Sequence, residues 1–254
     1  MNDHEHSSIN NDEEPSGPRL ADEAPQHVDS DAAGGGDHVP WFPDPPLLYR
    51  VIKRSIDIVF SALMLVLLSP TLLVIALAVK LSSTGPVVFR QRRLGLRGKP
   101  FDIFKFRTMY LSYDQQRQKE FVGHLIADKY GPPGEQPVYK LTRDMRITRV
   151  GKFLRRTSLD ETLQFWNVLL GDMSLVGPRP PIPYELAAYQ PWQKLRLSGM
   201  PGITGLWQIL GRSGTSFDEM VKLDIKYLQR PSIVLDLKIL LRTPMAVLRG
   251  DKAY

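Results

Sequence analysis

The chain has no cysteine, and four of its five histidines (His4, His6, His27 and His38) lie within the first forty residues. The first absence excludes disulfides and thiolate metal sites and suits a reducing compartment. The second leaves His124 alone in the remainder, which argues against His-based triads and His-rich metal centres. Acid-base or nucleophilic chemistry then falls mainly to carboxylates, lysines and hydroxyls. Long apolar runs are almost as scarce. Only residues 58–79 form one, and nothing after Lys80 is long enough to cross a bilayer. That run begins behind an acidic segment instead of a short basic one, so no secretory signal is evident. No internal repeat is present, and 254 residues suffice for one domain with a sizeable core plus an appendage.

Charge is divided sharply. Residues 1–48 hold eleven acidic side chains against Arg19 alone, a balance of −10 that leaves +16 for the rest of a chain whose total is +6. The acidic section is rich in Gly, Pro, Ser and Asp and has little aliphatic periodicity, so it cannot bury enough surface to offset its ordering entropy. It is expected to be a disordered tail over 1–48. The basic remainder calls for an anionic partner: a membrane surface, a nucleic acid or a phosphorylated substrate.

The apolar run, IVFSALMLVLLSPTLLVIALAV, has 22 uncharged residues, enough to span a membrane on length alone. Pro70 sits at its centre, cannot donate to the carbonyl of Val66, and clashes with it. Each half is then about eleven residues, or roughly 16 Å of helix. That is about half of a ~30 Å hydrocarbon core. Ser69 can hydrogen-bond a carbonyl freed at the proline. Arg50, Lys53 and Arg54 precede the run, and Lys80, Arg90, Arg92 and Arg93 follow it, so both flanks look cytoplasmic. A helix that dips into one leaflet and returns satisfies both features. A kinked spanning helix satisfies the first.

Beyond Lys80, "VVFRQ" and "FDIFKFRT" read as short strands joined by a Gly-rich basic loop. Residues 111–140 look like helix followed by the loop "YGPPGEQP", and helical periodicity returns at 145–170, 183–198, 217–229 and 233–249. The last of these is amphipathic and divided by Pro244, which suits either core packing or an interfacial helix. The fold class expected is α+β, mainly helical, with a small β element.

The densest polar cluster is "RVGKFLRRTSLDETLQFWNVLLGDMSLVGPRPP" at 149–181. Within it "SLDE" matches a capping box, Ser158 capping while Glu161 reaches back. Leu163, Trp166 and Leu170 then form an apolar face, and Gly171 supplies the stop. Such a box needs no catalysis. Yet Arg155 and Arg156 precede it, Arg179 stands between Pro178 and Pro180, and "PGITGLWQILGRSG" places Arg212 in another Gly-rich loop. A helix N-terminus attracts anions, and arginines on stiff loops around one read as a phosphate or diphosphate site. Asp160 and Glu161 would repel such a ligand by ~4 kcal/mol at 4 Å for an effective dielectric of 20. Mg²⁺, which takes one or two carboxylates plus substrate phosphates, removes the conflict. One carboxylate would hold the metal while its neighbour attacks phosphorus. "GLRGKP" lacks the spacing of a nucleotide-binding P-loop. "DSD" at 29–31 lies in the tail. Alternation along this basic strand assigns Phe101, Phe104 and Phe106 to the core, and no nucleic-acid partner is expected.

From about Tyr49 to Tyr254 the chain resembles the bacterial sugar transferases, the monotopic polyprenyl-phosphate hexose-1-phosphate transferases. The matching blocks are "KRSIDIVFSALMLVLLSP", "GPVVFRQRRLGLRGKPFDIFKFRTM", "RITRVGKFLRRTSLDETLQFWNVLLGDMSLVGPRP", "PGITGLWQILGRS" and "LDLKILLRTP". The short form is similar to the exopolysaccharide-initiating members. The resemblance implies a re-entrant helix over 49–80, broken at Ser69-Pro70 and flanked by the basic pair Lys53 and Arg54. It also implies a catalytic domain over 81–254 on the cytoplasmic face of the inner membrane. It further implies transfer of a sugar-1-phosphate from a UDP-sugar to undecaprenyl or another polyprenyl phosphate, with release of UMP. Asp160 would be the nucleophile, Glu161 would help bind Mg²⁺, Arg155, Arg179 and Arg212 would serve the substrate, and Asp236 would orient an arginine. Many members read Asp-Glu-Leu-Pro-Gln, where this chain has Asp160-Glu161-Thr162-Leu163-Gln164. A glycosyl transferase that releases UDP, or a basic membrane scaffold, are the competing readings. The hexose stays open, as does a homodimer through a C-terminal helix face.

Overall fold

A computed structural model of the chain describes residues 41–110, 146–211 and 215–249. The acidic segment 1–40, the helix and loop expected at 111–140, and Arg212 lie outside the described residues. Within the stretch 1–48, the described residues begin at 41, where the Phe42 N–H donates to Ser198 Oγ at 3.2 Å and Asp44 pairs with Arg97 at 3.0 Å.

Helix α1, Leu47–Ser82, contains no glycine, carries Lys80 in its last turn and gives way to extended backbone at Ser83. Pro70 lies inside it, so the expected break does not interrupt the helix. Ser69 Oγ donates to Val66 O at 2.8 Å, supplying that carbonyl with the donor that Pro70 lacks. Both halves pack on the rest of the chain. In the first, Asp57 accepts from Ser174 Oγ and the Leu175 N–H, and Phe60 meets Phe165. In the second, Ile75 and Val79 join Phe106 and Leu154 in a buried cluster. Arg107 gathers the carbonyls of Val79, Ser83 and Pro86 at the helix end. Between these anchors Val59, Leu63, Val66, Leu67, Leu73, Val74 and Leu77 are 59–73% exposed. Among the described residues α1 is the one helix long and apolar enough to cross a membrane.

Strands β1 (Val88–Leu94) and β2 (Pro100–Phe106) form the expected antiparallel hairpin. Its loop needs left-handed backbone at Arg97 and Gly98, and closes with Gly95 N–H on Lys99 O at 2.7 Å. The helix expected over 145–170 is divided. Thr148 caps α2 (Arg149–Thr157) by accepting the Gly151 N–H. Ser158 then takes left-handed backbone, φ 56°, and closes α2 where it was expected to open a helix. A 3₁₀ turn, Leu159–Glu161, leads to α3 (Gln164–Leu170), which ends as predicted on Gly171 with φ 93°. This offset turns α3 so that Gln164, Asn167 and Val168 face inward, while Trp166 and Leu170 are exposed. Asn167 takes that place because it bonds β2 twice, through Phe104 N–H and Asp102 O.

Strands β3 (Ser174–Val176) and β4 (Gly202–Thr204) pair in parallel through the core. The expected helix at 183–198 is two 3₁₀ segments, Pro183–Ala188 and Pro191–Ser198, each opened by its proline. Helices α4 (Leu206–Leu210), α5 (Phe217–Gln229) and α6 (Ile233–Arg249) follow. A Ser-Glu capping box falls at Ser216 and Glu219, before α5. Helix α6 buries Ile239 and leaves Val234, Leu237, Leu241 and Met245 exposed.

Gly177 and Gly202 let β3 and β4 meet closely enough to launch the Pro178-Arg179-Pro180 loop. A Cβ at Gly177 would lie 2.2 Å from Met200 O, and one at Gly202 would lie 2.0 Å from the Gly177 nitrogen. Both contacts are with backbone, so no rotamer relieves them. Gly177→Ala is expected to lower stability by about 3 kcal/mol. Urea unfolding in detergent, read against the wild type, checks this.

Candidate active site

Asp160 occupies the 3₁₀ turn between α2 and α3 and is buried, 9% exposed. Burial, with Glu161 adding to it, pushes its carboxyl up to about 6, while Lys105 and Arg155 pull it back. Arg155 is fixed from below by its Nε donating to Thr108 Oγ1 at 2.9 Å. Glu161 receives Lys105 Nζ at 2.5 Å. Burial, reinforced by Arg93 and Arg179, draws the Lys105 ammonium below the usual lysine value, and Glu161 opposes this.

Lys105 and Arg93 were missed in the sequence, yet the register contains the signal. Residues 101, 103 and 105 share one face of β2, and their partners across the hairpin are Arg93, Gln91 and Phe89. Phe101 and Ile103 are core, so Lys105 is a cation on an inward-facing row. Arg93 is 6% exposed, its guanidinium donating to Pro180 O and to Gln91 Oε1. Burial, with Arg179 nearby, draws it down to about 10. Arg179 stands half-buried between the buried Pro178 and Pro180, and its backbone N–H donates to Asp224. Asp224 in turn meets Arg196 at 2.5 Å, so a buried ion pair holds the loop that presents Arg179.

Arg93, Lys105, Glu161, Arg179, Pro180 and Gln208 line one small cleft that opens to solvent, with Ile103, Gln164, Gly202 and Ile203 completing its walls. Three cations therefore converge beside one carboxylate, with Asp160 next in the chain. The cavity suits a compact anion such as a phosphate or diphosphate.

The remaining sequence candidates lie elsewhere. Arg156 is exposed on α2. Asp236 orients no arginine among the described contacts. Its carboxylate takes Lys53 Nζ and Tyr49 OH at 3.0 Å and Tyr227 OH at 2.7 Å, tying α1 to α6 and α5. Arg54 donates to Val168 O and Leu169 O at the end of α3. The basic pair thus docks α1 onto the body. A second, smaller cleft between Lys53, Asp57 and Asp236 has its polar groups already paired.

Among the described residues no three carboxylate or histidine side chains gather as a protein-only metal cage. Mg²⁺ does not require one, since one or two carboxylates and substrate phosphates suffice. The adjacent oxygen donors Asp160 and Glu161 fit that pattern, with Lys105 as the cation already at Glu161.

Comparison with known proteins identifies the family. Residues 48–250 match the family described as bacterial sugar transferase. The chain is 42% identical over 206 residues to the galactosyl transferase CpsE of Streptococcus agalactiae, covering 81% of this chain and 44% of that protein. It is 42% identical over 223 residues to a UDP-glucose:undecaprenyl-phosphate glucose-1-phosphate transferase of Caulobacter vibrioides, covering 85% and 76%. It is 38% identical over 204 residues to the exopolysaccharide production protein ExoY of Sinorhizobium fredii, covering 80% and 88%. The chain thus spans less than half of the first of these and most of the other two.

Proposed function

We propose, because the chain belongs to the bacterial sugar transferase family, that it moves a sugar-1-phosphate from a UDP-sugar to undecaprenyl or another polyprenyl phosphate and releases UMP. The observation that carries this is the buried Asp160 next to a part-buried Glu161, which lines a cleft with Arg93, Lys105 and Arg179. In the first step an Asp160 carboxylate oxygen attacks the phosphorus bearing the sugar. The bond to the bridging oxygen breaks, and UMP leaves with the electron pair. In the second, an oxygen of the lipid phosphate attacks the same phosphorus and displaces Asp160, giving a lipid diphosphate sugar.

Arg93, Lys105 and Arg179 would hold the diphosphate and offset charge gathering on the leaving group. Arg155 would keep Asp160 ionised. Glu161 would help hold Mg²⁺, which when bound neutralises phosphate oxygens. The relatives' names divide between galactose and glucose, and the hexose is left unspecified here.

The same reading seats the body on the cytoplasmic face of the inner membrane, with α1 entering and leaving one leaflet. It is supported by the docking of both halves of α1 on one body, by the exposed apolar surface between them, and by basic residues on both flanks. Phe153, Trp166 and Leu170, all more than half exposed, offer further apolar surface to lipid, and so does the outer face of α6.

A nucleophilic Asp160 must be an anion. With its carboxyl near 6, activity is expected to fall about tenfold per unit as pH drops below 6, and to level off above 7. Lys105 lowers that value, so Lys105→Met should move the midpoint upward. A single-turnover pH series on both proteins checks the sign.

The reading itself is tested with detergent-solubilised protein, Mg²⁺, undecaprenyl phosphate and a panel of UDP-hexoses, resolving UMP from UDP. UMP with one donor supports it. UDP instead of UMP would replace it with plain glycosyl transfer.

A further inference from the structure

Gln208 lies on α4, one residue beyond the buried Trp207, and reaches the same cavity as the three cations. Its Nε2 donates to Ile203 O at 3.1 Å, which fixes the amide so that Oε1 faces the other way. That oxygen is buried, and among the described residues it accepts no hydrogen bond. A buried acceptor without a partner is costly, and native interiors seldom keep one without a reason. Room for it is left by Gly205, where an added Cβ would come within 2.8 Å of Oε1.

The chemistry of the other walls restricts what this acceptor can meet. Arg93, Lys105 and Arg179 offer only donors and suit phosphate oxygens. Gln208 Oε1, a neutral acceptor, would repel a phosphate oxygen and requires an O–H or N–H. In a sugar-phosphate the donors nearest the phosphate are the sugar hydroxyls. We propose that Gln208 is a specificity-determining residue whose Oε1 accepts a hydrogen bond from a hydroxyl of the transferred hexose. This rests on the proposed transfer reaction and adds to it the group that distinguishes one hexose from another. A site that hydrogen-bonds a substrate hydroxyl discriminates against analogues lacking it, because its polar atom is then left unpaired.

The test compares wild type with Gln208→Met, which keeps length and removes the acceptor together with the Nε2 donor to Ile203 O. Each is assayed for UMP release with the preferred UDP-hexose, its singly deoxygenated hexose analogues, the 2′-deoxyribose donor and the N3-methyluracil donor, and melting temperatures are recorded. The expected result has three parts. Gln208→Met stays folded, with melting lowered by no more than the loss of the bond to Ile203 O accounts for. It loses about 10- to 100-fold in kcat/KM on the full donor. One deoxyhexose donor, already that much poorer for wild type, is no poorer for the variant. The same non-additivity on the ribose or uracil analogue instead would overturn the assignment to the hexose. So would additive losses on every deoxyhexose donor, or a variant as active as wild type. These outcomes presuppose UMP release by wild type. Its absence with every donor would reject the underlying reaction and this inference together, whereas its presence with an indifferent variant rejects the inference alone.

Discussion

Asp160→Asn is expected to reduce UMP release by about 10⁴-fold or more, the order seen when a nucleophile is removed from a catalytic unit. The substitution keeps shape and volume and deletes only the charge that attacks phosphorus. It should not weaken the fold. The carboxyl is raised from 3.8 to about 6, so the folded state favours its protonated form, and above pH 6 its ionisation opposes folding. That opposition is on the order of 3 kcal/mol at neutral pH. Asparagine removes it, so the melting temperature should stay level or rise while turnover disappears. Such a split between stability and activity marks a group retained for chemistry. A scaffold whose carboxylates merely cap a helix would show the reverse, because losing a cap costs stability. Turnover and thermal unfolding measured on one preparation separate the two.

Lys105→Met should lower turnover by about 10²- to 10³-fold, the cost of removing one donor aimed at developing charge. The lysine is well placed for this. It stands on an inward row of β2, its partner Glu161 lines the cavity, and Arg93 and Arg179 share its field. Removing it also leaves Glu161 without this partner in a largely buried site, which would itself destabilise. Lys105→Met combined with Glu161→Gln distinguishes the effects. Restored melting with turnover still depressed would assign both groups to catalysis. Turnover that recovers along with melting would reduce the lysine to a structural counter-ion.

The features that were legible from the sequence rest on local rules. The hairpin follows from two short β-rich runs around a Gly-rich loop, and α5 and α6 from periodicity. Gly171 ends α3 because left-handed backbone favours glycine. Proline chemistry alone predicts that Ser69 bonds a carbonyl freed at Pro70, and Ser69 Oγ donates to Val66 O. What escaped was decided by tertiary contact. "SLDE" has the composition of a capping box, but Ser158 closes the preceding helix, and this puts Asp160 on a tight turn instead of a helix. Strands β3 and β4 are three residues each and pair across more than twenty positions, leaving no periodic trace. Asp236 looked like an orienting acid for an arginine, yet it holds Lys53 and two tyrosines, because α1 packs where a sequence cannot show it. Lys105 was readable in principle as a charge on a core-facing row.

The most direct test of the central claim omits the lipid acceptor. Wild-type protein incubated with Mg²⁺ and its UDP-hexose should release about one UMP per active site, and intact-mass and peptide spectrometry should find one hexose-phosphate, on Asp160. Added undecaprenyl phosphate should then discharge the label into lipid. Full turnover with lipid, but neither a UMP burst nor a labelled aspartate without it, would contradict the account and point to direct attack of the lipid phosphate on the UDP-sugar.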